Sequence, residues 1–479
     1  MSDKSSQPQI IQLSSLPTNT AQRVESDVLE PLTFSDTEAV WEFAPKGFLH
    51  PASTLTLGFE DNTEQAGSFP FVNIGIHSCV RRAVLRTTAG RVICDCDDWN
   101  YLQSTKSMFL HNSTNKEREQ YLNGRSIDFQ MNYLLNPAAA AGLRFSNQTA
   151  QGYGLDNGLD FNCVAGDVLE GLSVQPHLEH SAGSTLQIKL HDLFPYMKSG
   201  NQIPLFLLPN ERIQVQLFWA DAVQRIGIPA TADAGYGALT TAQKSIVLDK
   251  TKCKIVSDHT FYDNEIMENI RDQYDKGKTF EYVDYRLSKQ SLTNAQVNSV
   301  QQLNIGGAGM VVNNVVYGWE NPNNNAQKLC GKYSNVGGRV VGVSVEALHN
   351  NLYVNGEFLH QTDNSNSAVQ FHNLKEAEGM VPFVSRQLYS GQGINGLGTT
   401  KSEMEGRSLV SELGGQFFTQ GFNLSGLNQR VDQLGIEIKN KVHLPDISAD
   451  AVSTYTQRAW LEIRRYLIIK DGHLECYYV

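Results

Sequence analysis

Residues 203–221 read IPLFLLPNERIQVQLFWAD, two apolar runs joined by Pro209-Asn210. In the second run Ile213, Val215, Leu217 and Trp219 alternate with Arg212, Gln214, Gln216 and Phe218, the period of two that lays one face of a strand on a core. Proline fixes φ and asparagine tolerates the left-handed region, so Pro209-Asn210 is a turn and the stretch reads as strand, tight corner, strand. The same grammar recurs in LYVNGEFLH, residues 352–360, where Asn355-Gly356 can supply the two positive-φ residues of a type I′ hairpin. It returns in RRYLIIKDGHLECYYV, residues 464–479, where Asp471-Gly472 separates two β-prone runs. An all-β protein of antiparallel strands follows.

The chain has 479 residues and a hydrophobic content of 41%, enough for more than one core. Charged residues make up only 19%. Asn, Gln, Ser, Thr and Gly take their place, which gives a surface suited to packing against copies of itself. Formal charge is −11, and no block of Lys and Arg could neutralise a run of phosphates, so no direct sequence-specific contact with nucleic acid is expected. Seven cysteines, at 79, 94, 96, 163, 253, 330 and 476, are odd in number, scattered and without a C-x-x-C pair. That spacing argues against a disulfide framework and for folding in a reducing compartment. The opening MSDKSSQPQIIQLSSLP lacks a basic start and a signal-length apolar run, and no segment approaches the roughly 20 apolar residues that span a bilayer. The expectation is a soluble chain with no transmembrane segment, not secreted by the classical route.

Along the chain, residues 1–40 are rich in Ser, Thr, Gln and Pro and mildly acidic, a composition that reads as an extended arm ordered only by contact. Short strands are expected at 54–59, 71–76, 83–87 and 91–94, then a helix opened by the capping box Thr114-x-x-Glu117 and closed by Asn123-Gly124. More strands follow in STLQIKLHDLF, in 203–221 and in KCKIVSDHTFY. After them NEIMENIRDQYDKGK spaces Ile266, Ile270 and Tyr274 as on an amphipathic helix. The second half repeats the style in FEYVDYRLS, VNSVQQLNI, GMVVNNVVYGW, RVVGVSVEAL, PFVSRQLYS and GIEIKNKVHL, with a Gly, Asn and Ser-rich excursion over 391–430. The expected organisation is an arm (1–40), a first eight-stranded jelly roll (41–265), a helical linker (266–278) and a second jelly roll (279–479).

Motifs that could carry chemistry fail on their context. GQGING matches G-x-G-x-x-G at Gly391, Gly393 and Gly396, but LGTTKSEMEG after it has no apolar helix face to bind a pyrophosphate. Gly277-Lys278-Thr279 has the tail of a phosphate loop, yet Asp272 occupies the leading glycine position and a helix precedes it where a strand is required. His177, Glu179 and His180, with His191 nearby, designate no third and fourth zinc ligand. Asp95, Asp97 and Asp98 in CDCDDWN lack the glycine and distal glutamate of a calcium loop, so a solvated strand end is expected. No G-x-S-x-G or H-E-x-x-H occurs. Neither an enzyme nor a cofactor is indicated.

With those residues in view, the sequence resembles the double jelly-roll major capsid proteins of double-stranded DNA viruses, in the manner of virophages, polinton-like viruses and their large-virus relatives. Three stretches carry the resemblance: LHDLFPYMKSGNQIPLFLLPNERIQVQLFW, KCKIVSDHTFYDNEIMENI, and the terminal EIRRYLIIKDGHLECYY. It implies two jelly rolls side by side and a homotrimer forming a pseudo-hexameric capsomer. Capsomers of that kind tile an icosahedral shell, with penton and minor capsid proteins as further partners. Two other classes share such strands. A carbohydrate-binding or cupin-like protein is one, but cupin chemistry needs a clustered His/Glu metal set that is not found within one half. A single-roll capsid of an RNA virus would usually carry a basic arm, and Lys4 and Arg23 are outnumbered here by Asp3, Glu25, Asp27, Glu30, Asp36 and Glu38.

Overall fold

The architecture comes from a computed structural model. It describes residues 23–58, 76–110, 122–123, 185–198, 201–220, 248–277, 279–293, 296, 299–320, 346–359, 367–378, 419–443 and 454–479. Strands of the first half are β1 (Arg23–Leu29), β2 (Thr33–Phe34), β3 (Glu38–Glu42), β4 (Phe48–Leu49), β5 (Thr54–Gly58), β6 (Val80–Thr87), β7 (Val92–Cys96), β8 (Thr185–Lys189), β9 (Ile203–Pro204), β10 (Ile213–Trp219) and β11 (Lys254–Phe261). The second half holds β12 (Thr279–Thr293), β13 (Gln301–Gly306), β14 (Val312–Glu320), β15 (Glu346–Val354), β16 (Glu357–Phe358), β17 (Thr419–Asn423), β18 (Ile436–His443), β19 (Thr454–Lys470) and β20 (His473–Tyr478). Three longer helices are α1 (Trp99–Leu110), α2 (Asn264–Asp275) and α3 (Ser367–Glu378).

Both halves are wound the same way. β4 and β5 lie end to end along one edge of β11, with β9 and β8 outside them, while β1 takes the other edge of β11. Counting each end-to-end pair as one strand and leaving β2 aside, the first half has eight strands, in sheets ordered 1-8-3-6 and 2-7-4-5. The second half, β12 to β19, gives the same two orders, and β20 continues the line of β14 along β19. This nested pair of Greek keys is a jelly roll, and the chain is a double jelly roll. Among the described residues no strand pairing crosses α2.

Local chemistry accounts for β10. Ile213, Val215 and Leu217 are fully buried and Trp219 nearly so, each worth about 1.5–3 kcal/mol on leaving water. On the other face Gln214 donates to Glu42 at 3.0 Å and Gln216 to Glu38 at 2.8 Å, a polar ladder between β10 and β3. The run before it is not a full strand. After β9 the chain turns through a 3₁₀ segment, Leu205–Leu207, because Pro204 and Pro209 remove ladder donors while Leu205, Leu207 and Leu208 are buried at the corner.

Other expectations shift. The arm does not extend to residue 40, since β1 pairs with β11 from Arg23↔Phe261 to Leu29↔Ile255 and β3 lies beside β10. Its alternate residues Val24 and Val28 face solvent, and polar contacts hold it in place: Lys46 reaches Glu25 at 3.3 Å and Asp27 at 2.7 Å. Ile76 opens a 3₁₀ turn, Ile76–Cys79, instead of closing a strand, and residues 71–75 lie outside the described residues. The described helix of that region is α1, ahead of the capping box, while Thr114, Glu117 and Gly124 are outside it. The helix expected at 266–278 starts at Asn264 and ends at Asp275, where Gly277, at φ +76°, donates to Tyr274 O at 2.7 Å. β17 falls within the excursion of 391–430, of which residues 391–418, including Gly391, Gly393 and Gly396, lie outside the described part.

Candidate functional site

The seam between the rolls gathers most of the buried charge. β7 ends the 2-7-4-5 sheet of the first roll, so its outer edge presents backbone groups with no neighbouring strand in that sheet. Side chains of the second roll satisfy them. Arg465 of β19 donates from Nη1 to Ile93 O at 2.7 Å and from Nη2 to Val92 O at 3.1 Å, and Tyr282 Oη donates to Ile93 O at 2.8 Å. Asp284 of β12 accepts from the Asp95 N–H at 3.3 Å, from its neighbour Tyr285 N–H at 2.9 Å and from Arg465 at 2.9 Å. Burial pushes the Asp284 carboxyl up to about 7, although Arg465 and the Asp95 N–H pull the other way.

A second ion pair stands further along the seam. Asp98, at φ +47° and almost wholly buried, accepts from Arg458 Nε at 2.6 Å and Lys289 Nζ at 2.9 Å, while the Arg458 guanidinium lies 3.8 Å from the centre of the Tyr101 ring. Burial opposes the charged form of Asp98, but the two cations outweigh it and hold the carboxyl below its usual range. Asp98 is therefore no solvated strand end. Asp95 is paired too, with Arg82 at 2.7 Å from Nε.

Two of the expected turns meet. Asn355 and Gly356, at φ +57° and +78°, join β15 to β16, and Asp471 and Gly472, at +52° and +75°, join β19 to β20. Gly472 sits against Pro209 and Asn210: a Cβ added there would stand 3.2 Å from Asn210 Nδ2 and 3.3 Å from Pro209 Cδ. Next to that contact the buried Glu211 carboxylate meets His473 Nδ1 at 2.8 Å, and Arg91 Nη1 donates to Leu474 O at 2.6 Å. Tyr282, Trp460, Leu467, Ile469 and Leu474, all from the second half, are members of the first roll's core. The rolls thus share apolar burial as well as charge.

Sequence reasoning missed Asp284, Arg458 and Arg465. The available signal was parity: Arg465 interrupts the inward series Ile463, Leu467, Ile469, where a charge needs a buried partner. Of the rejected motifs, Gly277 is a helix cap with β12 after it, and His191 Nδ1 lies 3.2 Å from Pro51 O. His177, Glu179 and His180 are outside the described residues. Ser257 Oγ stands 3.1 Å from His259 Nε2, with Asp27 3.6 Å from the same nitrogen, an arrangement reminiscent of a nucleophile and its base. Ser257 is fully buried, however, so no substrate carbonyl reaches it, and the cluster fixes β1 on β11. Among the described residues no group of three His, Cys, Asp or Glu side chains could hold a metal ion. Cys94, Cys96, Cys253 and Cys476 are free thiols, and no described helix is long and apolar enough to cross a membrane.

Solved structures of viral capsid proteins share this double jelly-roll fold and align over most of the chain. The capsid of PBCV-1 virus aligns with a TM-score of 0.58 at 10% identity, over 95% of this chain and 97% of that one. The Sputnik virophage structure gives 0.56 at 10% identity, covering 96% and 89%, and the Faustovirus major capsid protein 0.50 at 10%, covering 94% and 90%. No protein-family model and no curated protein matches the sequence.

Proposed function

We propose that this chain is a major capsid protein: a structural subunit, not an enzyme, whose trimers form pseudo-hexameric capsomers that tile an icosahedral virion. One observation carries the reading. Two rolls of identical strand order are locked edge to flank by a buried seam, which makes one chain a rigid pair of wall units. Three such pairs give six walls around an axis, and closed rotational symmetry is the usual way for one surface type to be satisfied. The first roll then runs from β1 to β11, α2 is the linker, and the second roll extends from β12 to the end. Residues before β1 act as a tie between capsomers, and penton and minor capsid proteins complete the shell. The low charge of the surface eases contact between copies, and the acidic balance leaves the genome to other components. The place of work is the virion shell, reached after folding in the reducing interior of a host cell, consistent with the free thiols. Electron microscopy of the expressed full chain tests this. Particles of hexagonal outline with three-fold symmetry are expected, and a population of monomers alone overturns it.

A further inference from the structure

β1 is fastened to the first roll by charge and hydrogen bonds more than by burial. It is an edge strand whose one neighbour is β11, and Val24 and Val28 on its outward face are 62% and 61% exposed. Of the side chains it turns inward, Glu25 and Asp27 are acidic and half-buried, and Leu29 packs on the core. Beneath them lies His259 of β11, opposite Glu25 in the ladder and 1% exposed. Both of its ring nitrogens are occupied. Nδ1 stands 3.2 Å from Lys46 O, a carbonyl that only accepts, so this nitrogen carries the proton. Nε2 then offers a lone pair to the Ser257 hydroxyl at 3.1 Å, and the imidazole seated under β1 is the neutral one.

The charges around that ring are already committed to one another. Asp27 Oδ2, 3.6 Å from Nε2, is held by Lys46 Nζ at 2.7 Å, and Glu25 is shared between Lys46 at 3.3 Å and Arg23 at 2.7 Å. Asp258, on the outer face of β11, takes the Ser26 hydroxyl, and on the side away from β1 the ladder sets the apolar Leu49 of β4 opposite His259. An imidazolium here is a second cation beside Lys46 in a place closed to water. We propose that His259 is the pivot of an acid-released latch, which seats β1 on β11 while the ring is neutral and lets β1 go when the ring gains a proton. Burial, helped by the Lys46 charge, holds the ring below the usual histidine value of 6.5, against the pull of the Lys46 carbonyl, Asp27 and Glu25. With β1 gone the ring returns to its ordinary value, so the docking free energy is full above about pH 6.5 and is lost as pH falls below it. What leaves is one strand. The other edge of β11 stays paired with β4 and β5, and the roll survives the release.

Hydrogen exchange of the full chain, read by mass spectrometry at about pH 7.5 and pH 5 after correction for the intrinsic rate, tests the latch. In wild type the protection of residues 23–29 is expected to drop severalfold at the lower pH while that of β10 stays unchanged. His259→Gln keeps a donor for Lys46 O and does not titrate, so its β1 should be equally protected at both values. Lys46→Met gives the opposite sign: Asp27 Oδ2 is then free to take the imidazolium, and β1 should be held more firmly in acid. This second variant decides the matter if the first does not fold. A wild-type β1 indifferent to pH overturns the latch. So does an acid loss of the same size in H259Q, which would assign the response to Glu25 and Asp27, or one of the same size in K46M. The latch belongs to the single chain, and each of these results leaves the capsomer reading as it stands.

Discussion

Arg465 does the work of a missing strand. Its guanidinium serves two carbonyls of the β7 edge and the Asp284 carboxylate at once, so its removal takes a donor from each, although Ile93 O keeps the Tyr282 hydroxyl and Asp284 keeps two backbone N–H groups. Arg465→Met is expected to cost about 3–5 kcal/mol of unfolding free energy at pH 8, read from denaturant titrations, because a buried carboxylate loses its partner. The penalty should shrink at pH 5. There Asp284, with its carboxyl raised from 3.8 to about 7, already carries a proton. Between those two pH values the folded state holds a proton that the unfolded chain has lost. The stability owed to this group is therefore full below about pH 4 and is lost as pH rises to about 7. Asp284→Asn has no such group, so the stability of wild type relative to D284N should fall as pH is raised through that window. A difference that does not change with pH would place the Asp284 carboxyl at an ordinary value.

Among the elements, the terminal hairpin decides how the rolls hold together. β20 belongs by sequence to the second roll, yet Leu474 lies in the core of the first, beside Leu467 and Ile469. Deleting residues 473–479 should uncover those side chains and give a product that binds hydrophobic dye or precipitates. A truncated chain with the wild-type melting midpoint would show the hairpin to be dispensable. Its turn is equally placed. Gly472→Val adds backbone strain at φ +75° and a clash with Pro209 and Asn210, for a loss of about 1–3 kcal/mol. Gly90, at φ +83°, has nothing within 4 Å of an added Cβ. Gly90→Val should therefore melt above G472V, and equal midpoints would mean that the turn-to-turn contact adds nothing.

At the scale of the whole molecule, the continuity of the first core through β12, β19 and β20 makes the rolls thermally inseparable. Calorimetry should show one endotherm for the full chain, despite a length at which independent domains usually melt apart. Two resolved transitions would mean that the seam is weaker than the cores it joins. The Arg465–Asp284 and Arg458–Asp98 pairs add directional contacts across a boundary that apolar packing alone leaves free to slide.

The sequence by itself determined the strands and their turns. Alternation in residues 213–219 and the dipeptides Asn355-Gly356 and Asp471-Gly472 act over a few residues, and the side-chain period and left-handed φ they impose do not depend on the rest of the chain. The local arguments stop where partners are distant. β1 reads as an arm because its alternate side chains are polar or solvent-facing, and only pairing with β11 makes it a strand. Asp98 reads as a solvated end because Arg458, 360 positions later, is needed to hold it in the interior. Arg465 has no partner near it in sequence, and the β7 edge that it serves lies more than 370 residues earlier. Buried charge and edge pairing are settled by long-range contact, since each is stable only once a partner removes its cost of leaving water.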